Sequence, residues 1–122
     1  TVIRATHPDP QHGVIHADHL AQEHLDMARE DGWQITTTTT PPADLPPAAD
    51  QLWQGARTAA LPWTLTQRVD PVDGHPITVL AMHGVDPARP DRWAEWSWVG
   101  QALTPTNRPK IPLHRARALL NA

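Results

Sequence analysis

Apolar and polar positions along the chain change period several times, and each change marks an element. Ala17, Leu20, Ala21, Leu25, Met27 and Ala28 recur at helical spacing, which predicts an amphipathic helix over 18–31 with Asp18 as N-cap and Gly32 as stop. His24 lies on or beside that apolar stripe, while His19, Glu23, Asp26 and Glu30 face away from it. In "WQITTTTT", Trp33, Ile35, Thr37 and Thr39 alternate with Gln34 and the other threonines, the pattern of a strand with one face on a core. Ala49, Leu52, Trp53, Ala56 and Ala60 then share one face of a helix over 47–60, entered through Pro46 and Pro47. Gly55 stands in its middle, where it either admits a close neighbour or weakens the helix.

Period two takes over after that helix. "WTLTQRV" (63–69) alternates as a half-exposed antiparallel strand, and "PITVLAMHGV" (76–85), apolar on both parities, reads as the central strand. "DPVDGH" between them carries turn signals. In "DRWAEWSWVGQAL" (91–103), Trp96 and Trp98 share one parity and Trp93 takes the other. "PLHRARALL" (112–120) closes the chain as a helix with Leu113, Ala116 and Leu120 inward. The expected fold class is α+β: one domain over 1–122, with a mainly antiparallel sheet of about four strands and helices packed on one face, in the order α-β-α-β-β-β-α. Residues 1–15 are expected as an extended N-terminal arm, and 41–46 and 104–112 as proline-rich connections.

Composition narrows the function classes. The 122 residues suffice for one core, and 39% apolar with 19% charged residues suits a folded chain. Cysteine is absent, which removes disulfides, thiolate nucleophiles and Cys-based zinc sites. Phe and Tyr are also absent, against six Trp and nine Arg to one Lys, the bias of a high-GC genome. Neither a signal-peptide pattern nor a membrane-length apolar run is visible, so a soluble, cytoplasmic protein is expected. The phosphate-loop, dinucleotide, GxSxG and HExxH signatures are missing, and the only serine, Ser97, has no glycine elbow. These absences favour a non-enzymatic chain without a cofactor.

Three sets of residues remain as candidates. The first is the Trp and Arg group Arg92, Trp93, Trp96 and Trp98, residue types that dominate interface energetics; it points to a protein partner or self-association. The second is the cluster His12, His16, His19 and Glu23. On a helix, His16, His19 and Glu23 stand at i, i+3 and i+7, a spacing that can share a divalent metal such as zinc in a small metalloenzyme or metal-binding protein. The plain alternative is a solvated helix face. The third is a C-terminal basic patch, Arg108, Lys110, Arg115 and Arg117, for a nucleic-acid-associated regulator; a net charge of −3 argues against that role as the main one.

Overall fold

The computed structural model describes residues 2–121 apart from 19–21, 40, 43 and 106–110, and only the backbone of 10, 22 and 23. Its first surprise lies in the expected N-terminal arm, which is built into the sheet: strand β1 runs Val2–Thr6, a short 3-10 helix covers Pro10–His12, and strand β2 runs Val14–Ala17. Gly13 makes that possible. Its φ is +70°, and a Cβ there would lie 2.2 Å from the Gln67 carbonyl oxygen. Any side chain would therefore push β2 off its neighbour.

Among the described residues helix α1 covers Gln22–Glu30. The expected start at Asp18 adjoins residues 19–21, outside the described residues; the Asp18 carboxylate accepts a hydrogen bond from the Trp63 backbone N–H at 3.2 Å. His24 is exposed rather than turned to the core stripe, and Met27 is 61% exposed. Strand β3 spans Gln34–Thr38, helix α2 Pro47–Thr58, β4 Trp63–Val69, β5 Pro76–His83, β6 Trp93–Val99, β7 Ala102–Thr104 and helix α3 Leu113–Leu120. The run read as one strand over 91–103 is thus a hairpin that turns at Gly100, whose φ is +60°.

All seven strands pair antiparallel in the order β3-β1-β2-β4-β5-β6-β7. The α+β class and antiparallel sheet stand; the count of about four strands and the element order do not. The difference comes from β1, β2 and β7, whose three to five residues are too short to display a period by themselves and become strands through their ladders.

Register explains where the core sits. Thr36, Arg4, His16, Leu65, Leu80 and Trp96 form one cross-strand row on a single face, polar at the β3 end and apolar at the β6 end. Over the apolar half, α2 contributes Ala49, Leu52, Trp53 and Ala56 and α3 contributes Ala116 to one cluster with Trp63, Leu65, Leu80, Met82, Trp96 and Trp98. Trp53 meets Trp63 edge to face at 5.5 Å, and the Arg57 guanidinium lies 4.7 Å from the Trp53 ring centre. In a chain without Phe or Tyr, tryptophan does the core filling. Consequently Trp96 and Trp98, 3% and 1% exposed, cannot anchor an external partner.

Gly55 answers the question its position raised. A Cβ there would stand 2.9 Å from the Leu120 Cβ, so the missing side chain is what lets α3 lie close against α2.

Candidate functional site

The β5–β6 loop is held by its own backbone. Gly84 N–H donates to the Arg92 carbonyl at 3.0 Å, Arg89 N–H to the Asp86 carbonyl at 2.9 Å, and Arg92 N–H to the Arg89 carbonyl at 3.1 Å. The Asp86 carboxylate accepts from Ala88 N–H at 3.0 Å, while Pro87 and Pro90 restrict the backbone between these turns. The result is a stiff loop carrying two arginines three residues apart. Across from it, the Trp96 indole N–H donates to the Ile111 carbonyl at 3.1 Å and fixes the chain just before α3. That anchor sets where the first turn of α3, with Arg115, comes to lie.

Between loop and helix is a pocket of about 310 Å³. Val85, Ala94 and Ile111 supply apolar wall, and Arg89, Arg92, Arg115 and Trp93 supply the rest of its character. Among the described residues, no carboxylate, hydrogen-bond acceptor or ring engages any of these three guanidiniums. Asp86 also lines the pocket, with its carboxylate engaged by the loop backbone. Three cationic groups therefore face one anionic group, an imbalance suited to a carboxylate or phosphate, which guanidinium binds in bidentate fashion.

Trp93 joins this pocket to a second surface. Its indole, 38% exposed, meets His83 edge-on at 5.2 Å and also lines a shallow concavity with Thr64, Thr66, Val79, Ala81 and Glu95. Those residues belong to the sheet face opposite α2 and α3. The sequence placed Arg92 and Trp93 in one candidate set and Arg115 in another; the fold brings them together and adds Arg89. The signal that could have found Arg89 was its spacing from Arg92 in "DPARPDR", between prolines.

The rest of the basic patch does not join them. Arg117 hydrogen-bonds the Gln51 side chain of α2, and Arg108 and Lys110 lie outside the described residues.

The histidine cluster also divides. His7 Nδ1 accepts from Asp9 N–H at 3.0 Å, so its proton is on Nε2, which donates to the Asp31 carbonyl at 2.9 Å. His12 stacks on this clasp, 4.1 Å from the His7 ring and 5.8 Å from Trp33, with Asp9 3.8 Å away. Those contacts tie the 3-10 helix to the end of α1. His16, by contrast, is on β2 within the sheet, paired with Arg4 of β1 and Leu65 of β4. Burial first, and the Arg4 charge second, hold its pKa below the usual histidine range. His19 and the Glu23 side chain lie outside the described residues, and among the described residues no three His, Asp or Glu side chains are grouped to hold a metal ion. His16 belongs to strand β2 and not to α1, so it takes no part in the helical i, i+3, i+7 spacing read from the sequence.

Ser97 shares a 2.6 Å hydrogen bond with Thr104 across β6 and β7. No helix among the described residues is long and apolar enough to cross a membrane. Comparison of the chain with protein-family models, with curated proteins and with solved structures finds no significant match.

Proposed function

We propose that the chain is a non-enzymatic protein-interaction module that docks an acidic segment of a partner protein, with a carboxylate seated between Arg89, Arg92 and Arg115 and an apolar side chain against Trp93. The observation that carries this reading is the convergence on one pocket, beside a half-exposed indole, of three guanidiniums that have no carboxylate partner among the described residues. Arginine and tryptophan are the residue types whose loss costs interfaces most. Their placement on a stiff loop and an anchored helix keeps the ordering cost of binding small.

An extended partner is favoured over a free ion because Trp93 also lines the concavity on the sheet face opposite α2 and α3, where the part-exposed Val79 offers apolar contact. A protein segment is favoured over nucleic acid for two reasons. The chain is acidic overall, and Arg57 and Arg117, which would extend a phosphate track, are engaged with Trp53 and Gln51.

The test uses three probes on the whole chain, followed by NMR of the Trp93 indole N–H and the arginine Nε–H signals. They are a peptide of alternating glutamate and leucine, its glutamine counterpart and single-stranded oligothymidylate. Saturable shifts with the acidic peptide alone, lost in Arg92→Glu and in Arg115→Glu, are expected. Shifts with oligothymidylate but not with the peptide would overturn the proposal in favour of nucleic acid. Equal binding of the glutamine peptide, or no response to any probe, would overturn it outright.

A further inference from the structure

The sheet face that carries the core has a polar half toward β1 and β3, where a second pocket lies with no helix residue among the described residues of its lining. There Arg4, Val14, His16, Thr38 and Gln67, with Pro41 and Pro42 from the segment after β3, enclose a pocket of about 320 Å³. That volume is at the lower end of small-molecule sites, which run from about 300 Å³ upward. His16 is only 6% exposed, and its Nδ1 is fully covered with no hydrogen-bond partner. A buried ring nitrogen without a partner costs stability, and such groups in folded chains call for an explanation.

The two tautomers differ in what they offer. With Nδ1 covered, Nε2 is the nitrogen left to face the cavity, and an anion seated there selects the tautomer that carries its proton on Nε2. The neutral ring then presents an N–H donor. Arg4, exposed and without a carboxylate partner among the described residues, presents a guanidinium beside it. Two donors, one of them cationic, converge on a space with no acidic side chain among the described residues of its lining. Val14, on the same face of β2 as His16, and Pro41 and Pro42 add apolar wall, which disfavours a strongly hydrated inorganic ion and favours an anion attached to an apolar body.

We infer that this pocket is a second binding site, for a small organic carboxylate whose oxygens bridge Arg4 and His16 while its apolar body packs on Val14, Pro41 and Pro42. It is separate from the Arg89, Arg92 and Arg115 pocket, with which it shares no residue. Neither site depends on the other being real.

Benzoate, benzamide and inorganic phosphate are the probes, titrated into the intact chain while the His16 ring signals are followed by NMR. Benzoate should shift them saturably, with a dissociation constant on the order of 1 mM, and benzamide should not. Arg4→Gln changes an exposed side chain, so the fold is retained, as a thermal melt will check. It should weaken benzoate at least about ten-fold, the scale of one lost charged hydrogen bond. Arg92→Glu should leave benzoate binding unchanged. The inference is overturned by an absent or non-saturating shift, by undiminished affinity in Arg4→Gln, or by loss of the response in Arg92→Glu, which would place benzoate in the other pocket. Phosphate shifting His16 as strongly as benzoate would overturn the assignment to an organic anion.

Discussion

Replacing Gly55 by alanine sets two effects of known sign against each other. In an exposed helix interior, alanine is favoured over glycine by about 1 kcal/mol. At this position the added methyl carbon would stand 2.9 Å from the Leu120 Cβ and 3.4 Å from its Cδ1. Ordinary carbon contacts begin near 3.5 Å, so α2 and α3 must part by roughly 0.6 Å. The nearest atom is a Cβ, fixed to backbone, and a leucine rotamer change does not relieve it. Overpacking of this kind costs about 1–3 kcal/mol, so the net expectation for Gly55→Ala is a loss of about 1 kcal/mol despite the gain in helix propensity.

Urea unfolding followed by tryptophan fluorescence and circular dichroism, with unchanged slope, reads that loss directly. The second half of the cycle isolates its cause. In a Leu120→Gly background the opposing Cβ is gone, and Gly55→Ala should become stabilising by up to about 1 kcal/mol, a coupling well above the additivity error of about 0.5 kcal/mol. Stabilisation by Gly55→Ala in the native background would refute the steric account. The substitution also reaches the site: α3 carries Arg115, so parting the helices should weaken the acidic peptide although Gly55 does not line the pocket.

Two further outcomes test the division of labour among aromatic and titratable side chains. Trp98→Ala should cost about 3–5 kcal/mol, as expected for emptying a buried indole site, whereas Trp93→Ala should cost about 1 kcal/mol or less and show its effect in peptide binding; denaturant unfolding of both variants checks the contrast. His16 is held in its neutral form by burial and by Arg4, so the unfolded chain takes up its proton first: the stability from this group is complete above about pH 6.5 and declines as pH falls through the lowered value. Unfolding curves between about pH 7.5 and 5 for the native chain and His16→Gln should therefore differ in slope, with the native chain losing stability faster on acidification; parallel curves would refute the assignment.

Much of the central and C-terminal fold was legible because its elements are long enough to display their period. The apolar face of α2, with Ala49, Leu52, Trp53 and Ala56, follows directly from the spacing of those residues, as do β4 at 63–69 and the shared parity of Trp96 and Trp98 opposite Trp93; that this parity, and not Trp93, faces the core was not legible. The N-terminal third misled for the opposite reason. "VIHADHL" satisfies a helical spacing for His16 and His19, yet Val14 and Ile15 are β-branched and Gly13 permits close approach to β4. Pairing with β1 and β4 outweighed the local pattern and left His16 in the sheet, between Arg4 and Leu65.

The sequence by itself determined which side chains were available: no thiolate, one hydroxyl of the serine type, tryptophan in place of the other aromatics, and arginine as nearly the whole cationic supply. It also determined that one Trp of the 93–98 run would face away from its neighbours, since strand parity is a local property. Which cations meet was decided only by tertiary structure. Arg89 and Arg92 reach Arg115 because Trp96 holds Ile111 and Gly55 lets α3 settle against α2, contacts between residues far apart in the chain. Local periodicity carries no information about such long-range packing, so the pockets became visible only once the sheet and its two covering helices were in place.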